Sequence, residues 1–163
     1  MTDEPRIDAF LSTPPGLRFA FMVKVRVAPI QDLGVTSSGH RRIVDILGGD
    51  VTGPRLTGQI LPGGADWQIV RPDGSIFVEA RYTIRASDGG LIYVRNEGVR
   101  VAAPAVAAAM ARGEAVDPGA YYFRTTPRFE TSAPALRWIE NAVFVGVATR
   151  AAAGVAIGFH EVV

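Results

Sequence analysis

Apolar and polar side chains alternate along most of this chain, and glycine and proline interrupt the alternation at short intervals. Phe19, Phe21, Val23, Val25 and Val27 fall on one face, with Ala20, Met22, Lys24 and Arg26 on the other. That period of two predicts a half-buried strand. Residues 29–39 read as a loop, because the Thr36 to Gly39 run carries turn chemistry. Residues 40–46 read as a second strand stopped by Gly48-Gly49, and residues 55–61 as a third. A short strand at 66–70 leads into the turn Pro72-Asp73-Gly74. The β-rich runs 76–86 and 91–101 flank Asp88-Gly89, the strongest short-range hairpin signal a sequence offers.

Residues 104–112 break the rhythm. Proline near the start, alanines inside and Gly113 at the end predict one short helix. Residues 121–129 return to strand, and 133–140 read as a helical turn carrying Trp138. Residues 142–149 and 155–162 predict a final hairpin. The expected fold is therefore all-β: a single antiparallel up-and-down β-barrel of about eight to nine strands with one short helix. It would occupy residues 17–163, behind a flexible N-terminal arm over residues 1–16 that ends in Pro14-Pro15-Gly16. A two-sheet sandwich satisfies the same local pattern. In the last hairpin Val143, Val145 and Val147 oppose Phe144, Gly146 and Ala148. Both faces are apolar, so a second burial surface is expected, either the helix or a partner in a homodimer.

Composition narrows the function classes. The 163 residues suit one domain with a real core, and the net charge of +1 supplies no field to attract nucleic acid. Sixteen of the 17 basic side chains are arginine, but they are scattered rather than clustered. The absence of cysteine removes disulfides, thiolate nucleophiles and cysteine-based zinc sites, and two histidines cannot build a His-rich metal centre. Neither a metal nor another cofactor is expected. No apolar run approaches a membrane span, and the polar N-terminus lacks a secretory h-region, so a cytoplasmic protein with no membrane partner is expected. The Gly48 to Gly53 cluster lacks a following Lys-Ser/Thr pair, so it does not read as a phosphate loop.

One ordered series stands out: Gly63-Gly64-Ala65-Asp66-Trp67-Gln68, Asp73-Gly74, Ala80-Arg81-Tyr82, Asp88-Gly89 and Tyr93. It continues with Tyr122-Phe123-Arg124, Phe129-Glu130, Trp138 and Val143-Phe144-Val145-Gly146. From Phe19 to Val163 this series resembles the domain of unknown function 3237 family, also called uncharacterised protein family 0311. The resemblance implies a β-barrel and leaves the chemistry open.

Two constellations are candidates for that chemistry. Asp66 and Trp67 follow a Gly-Gly turn; a buried carboxyl there could serve as a general base, or it could simply bond local backbone. Tyr122, Arg124, Thr126, Arg128 and Glu130 share one strand face, as do Glu79, Arg81, Thr83 and Arg85, and Tyr93, Arg95 and Glu97. Apolarity alone turns these faces to water, whereas a ligand cavity would turn them inward. In the catalytic reading Asp66 or Glu130 moves a proton and Arg81 or Arg124 stabilises an oxyanion. Trp67, Tyr93 and Tyr122 then wall the ligand. A cofactor-independent isomerase, lyase or lactone-processing enzyme acting on an aromatic or carbonyl compound would suit this equipment. A non-catalytic small-molecule binder and a dimeric interaction module remain open beside it.

Overall fold

The computed structural model describes residues 6–163. Ten strands form one sheet that closes on itself: β1 (Leu17–Val27), β2 (Gln31–Thr36), β3 (Gly39–Thr52), β4 (Gly58–Ile60), β5 (Ala65–Val70), β6 (Ile76–Ala86), β7 (Leu91–Ala102), β8 (Tyr121–Thr131), β9 (Phe144–Ala151) and β10 (Gly154–Val162). Every pairing is antiparallel, and β1 closes the barrel by pairing with both β10 and β3. Between β3 and β6, β4 and β5 share one position, each covering part of the length. The result is an eight-stranded barrel with two extra strands. The expected meander is found, and closure removes the edges that an open sheet would expose.

Interior positions follow the apolar parity. Phe21, Val23, Ile84, Ile92, Val94, Phe144 and Phe159 are buried in one core. At the end of the barrel where β8 leads towards β9, Phe21, Phe129, Phe144 and Phe159 pack ring against ring, with centroids 5.1–6.0 Å apart. A 3₁₀ segment, Pro134–Ile139, presses Leu136 and Ile139 onto this end, where the helical turn was expected. This is the lower end of the barrel. At the upper end β7 runs into helix α2, Pro104–Ala111. Proline starts that helix and Met110 seats it on the core.

The structure corrects several expectations. Gly48-Gly49 does not stop a strand; β3 runs through it to Thr52. A side chain at Gly49 would meet the Lys24 carbonyl oxygen at 2.2 Å, so glycine there permits close approach of β1. Residues 31–36 form β2 rather than loop, paired on one side with β3. The expected third strand at 55–61 shrinks to Gly58–Ile60. A register shift between Phe19 and Phe21 takes Phe19 off the apolar face, leaving it 37% exposed while Ala20 is buried. In the expected arm, Ile7–Ser12 is a short helix (α1) with no buried residue; its first five residues lie outside those described. The outer face of β9 stays uncovered at Val147, 40% exposed, and Val143 just before the strand is 60% exposed.

Candidate functional site

Strand register decides which polar groups enter the barrel. Val44 of β3 opposes Asp66 of β5, Asp66 opposes Ala80 of β6, and Ala80 opposes Asn96 of β7. Directly opposed residues share a face, and both Val44 and Asn96 are buried. Asp66 therefore points inward. One turn of the pattern higher, Arg42 opposes Gln68, and Arg100 lies between Ile76 and Phe123, both buried. The upper interior thus carries Arg42, Asp66, Gln68 and Arg100 on positions whose parity is otherwise apolar.

These groups form a connected set. Arg42 Nη2 donates to Gln68 Oε1 at 2.8 Å, and Gln68 Nε2 donates to Asp66 Oδ2 at 2.7 Å. The backbone N–H of Glu79 donates to Asp66 Oδ1 at 2.9 Å. Burial pushes the Asp66 carboxyl above the ordinary carboxylate range, although those two hydrogen bonds and the charges of Arg42 and Arg100 pull the other way. Burial likewise lowers Arg42 and Arg100 below the usual arginine range, and Arg42 adds a repulsive contribution at Arg100. Among the described residues Arg100 makes no ion pair within 4.0 Å and no side-chain hydrogen bond. Arg150 of β9 donates from Nη1 to the Met110 carbonyl, tying α2 to this end. Tyr121 stands beside it, its hydroxyl accepting from the Arg150 backbone N–H at 2.9 Å.

Several interior polar atoms are left without a partner. Tyr82 OH, Asn96 Oδ1, Thr125 Oγ1 and Arg42 Nε are buried and unbonded in the protein. All four belong to residues on the inward parity of β3, β6, β7 and β8. An orphaned buried polar group costs about 1–3 kcal/mol unless a bound molecule satisfies it, and these four all sit on the inward face of one barrel. Beside them, β8 and β9 pair through only Arg124↔Val147 and Thr125↔Gly146. The wall between these strands is backbone-bonded only near its middle.

The structure does not bring the seven sequence candidates together. Asp66 alone faces the interior. Trp67 is on the opposite face of β5, its ring 5.9 Å from the Arg81 guanidinium carbon. Arg81, Tyr93 and Glu130 share an outer depression of about 350 Å³ with Arg95 and Arg128. Tyr122 and Arg124 line a second outer depression of about 620 Å³ with Arg71, Phe77 and Val145. Neither depression reaches Asp66. Two outer pairs form along their own strands, Arg81–Glu79 at 2.7 Å and Arg95–Glu97. The charged faces of β6, β7 and β8 thus turn outward, as apolarity alone expected, and the proposed wall of aromatics around one acid does not form.

Another polar cluster seals the lower end. Glu161 accepts from Arg18 at 2.8 Å and from Arg55, and Arg55 stacks 3.8 Å over Trp138. It joins β1, β10 and the 3₁₀ segment and is fully satisfied. Among the described residues no three His, Cys, Asp or Glu side chains gather to hold a metal. Among the described residues no helix is long and apolar enough to cross a membrane.

The family profile for "Protein of unknown function (DUF3237)" matches residues 15–162. The chain belongs to the DUF3237 family. A UPF0311 protein of Rhodopseudomonas palustris is 43% identical over 145 residues, covering 89% of this chain and 95% of its own. Its crystal structure superposes with a TM-score of 0.90 over 93% of this chain and all of the other. A β-barrel-like protein of Acinetobacter baumannii is 36% identical with a TM-score of 0.80 over the whole of both chains. A protein called hydroalkoxylation enzyme, from Penicillium herquei, is 30% identical over 82 residues, half of this chain and 54% of its own. An enzyme from the same fungus shares the fold at 21% identity and a TM-score of 0.68. Family membership thus agrees with the barrel and with the ordered series of residues that resembled it.

Proposed function

We propose that this DUF3237 protein takes a small molecule into the upper end of its barrel and works on it by proton transfer, without a cofactor. The observation that carries the reading is Asp66, a buried carboxyl group turned inward among Arg42, Gln68 and Arg100. A carboxyl group raised towards neutrality can hold a proton and give it up, which is what a general acid–base needs. The neighbouring guanidiniums would stabilise negative charge developing on a substrate oxygen. Aromatic or carbonyl compounds remain the substrate class. The fungal relative's name adds a further reaction type, addition of an O–H group across a carbon–carbon double bond, and that addition also needs a proton delivered to carbon.

The experiment is a turnover screen of aromatic ketones, lactones and alkenyl phenols with wild-type protein and Asp66→Asn. General acid–base catalysis contributes about 100- to 10,000-fold, so the variant should lose at least about 100-fold in turnover while still binding substrate. Undiminished turnover by the variant would overturn the role of Asp66. A second reading, a ligand binder without catalysis, is favoured by one detail. Both Asp66 oxygens already accept from protein donors, which suits positioning as well as proton transfer. Ligand binding without turnover of any substrate class would select it.

A further inference from the structure

The charge inside the upper barrel is unbalanced. Arg42 of β3 and Arg100 of β7 both project there, with Arg150 of β9 at the margin, and Asp66 of β5 is the carboxyl group beside them. Tyr121 of β8 supplies a hydroxyl nearby rather than a charge. Desolvating a guanidinium costs several kcal/mol unless an anion compensates. Asp66 compensates poorly, because its two oxygens are occupied by Gln68 and the Glu79 backbone. Arg42 keeps a buried, unbonded Nε, and the half-buried Arg100 makes no ion pair or side-chain hydrogen bond among the described residues. A fold that turns two half-buried cations inward against one committed carboxyl group is complementary to a further anion. Planar guanidinium donors fit a flat oxyanion. Phe123, Ile76 and Met110, buried at the same end, offer an apolar wall for the body of such a ligand.

We infer that Arg42 and Arg100 form an oxyanion site for a small aromatic carboxylate or phenolate. This rests on the reading that the upper barrel takes a small molecule, and it specifies that ligand's charge. Asp66 sets the pH dependence. When ionised, its charge offsets part of the positive field of the two guanidiniums without bonding either, so the anion binds better while Asp66 is protonated. Binding of the anion is coupled to proton uptake, and its affinity falls as pH rises through the Asp66 titration.

The test uses benzoate, 4-nitrophenol and the neutral control benzyl alcohol, titrated into the full chain. Benzoate binding is followed by calorimetry. For 4-nitrophenol, the visible band of the phenolate reports ionisation directly. The expected result is binding of one or both anions, with benzyl alcohol at least about ten-fold weaker, the size of one charge-assisted hydrogen bond. Benzoate alone would assign the site to carboxylates. Nitrophenolate appearing at lower pH in the presence of protein would assign it to phenolates. Arg100→Met and Arg42→Met should each weaken the anion at least about ten-fold, while Arg95→Met, on the outer wall, should not. Asp66→Asn should bind the anion with no fall at high pH. Thermal melting checks that each variant is folded, and Arg100→Lys should recover part of the affinity if Arg100→Met is not. The inference is overturned if the neutral analogue binds as tightly as the anions, if neither anion binds, or if Arg95→Met abolishes binding and the inner variants do not. Loss of turnover in Asp66→Asn is a separate readout, so the acid–base role and the oxyanion site can fail independently.

Discussion

Tyr82→Phe tests whether the barrel interior sacrifices stability to keep polar groups available. Tyr82 is 4% exposed and its hydroxyl is buried with no partner. Burial alone raises its phenol well above the ordinary tyrosine range, as expected of a hydroxyl with no charge to lean on. Removing the oxygen removes a desolvation penalty of about 1–3 kcal/mol. It leaves a hydroxyl-sized void that costs about 0.3 kcal/mol, and the ring remains packed between Val94 and the core. The variant should therefore be more stable by about 1–2 kcal/mol. For a chain of this size that is a rise in Tm of about 2–8 °C. Urea unfolding of both proteins measures it, with an unchanged m-value showing that the unfolded state is the same. A variant less stable than wild type would mean that the hydroxyl is satisfied, and that the interior is an ordinary core at this point.

Three other expectations follow from the same structure. The raised Asp66 carboxyl binds its proton at higher pH when folded than when unfolded, so its contribution to stability is full below the ordinary value of 3.8 and is lost as pH rises through the folded value; Asp66→Asn should remove that fall, and stability curves from pH 3 to pH 8 compare the two. At Gly64 the backbone has φ +84°, and a side chain would meet the Arg81 carbonyl oxygen at 2.1 Å. Gly64→Ala should cost at least about 2 kcal/mol through strain and overpacking, visible as a lower urea midpoint. Finally, the exposed Val143 and Val147 keep the homodimer expected from the final hairpin in play. Light scattering should give twice the chain mass, and Val147→Glu should return it to monomer; a monomeric wild type at micromolar concentration would end that expectation.

The barrel was legible because most of its strands carry local signals. The β6–β7 hairpin has alternation on both arms and Asp-Gly between them, and it forms over nearly the expected residues. β2 was not legible. Its sequence QDLGVT alternates only at Leu33 and Val35, beside a glycine, and none of its residues is buried; pairing with β3 makes it a strand. Gly48-Gly49 misled for the opposite reason, since what glycine serves there is the approach of Lys24 from a strand distant in sequence.

The site was half legible. Asp66 stood out beside its Gly-Gly turn, whereas the arginines that attend it did not. A signal for them existed: Arg42 precedes Val44 and Ile46 on one parity, and Arg100 continues the parity of Ile92 and Val94 through Asn96 and Gly98. Polar side chains on the buried parity of a strand mark groups held inside, while Arg81, Arg124 and Glu130 lie on the solvent parity. What brings Arg42, Asp66 and Arg100 together is the register of pairing across β3, β5, β6 and β7, which no local window contains.

A ligand site inside the upper barrel, and not in the outer depressions, has a direct spectroscopic signature. Backbone amide chemical-shift mapping during a benzoate titration tests it most directly. The account predicts the largest changes at Arg42, Gln68, Glu79 and Arg100, with the Glu79 N–H reporting on the Asp66 carboxyl group it bonds. Changes concentrated at Tyr93, Arg95 and Glu130, or at Tyr122 and Arg124, would place the ligand on the outer wall and contradict it.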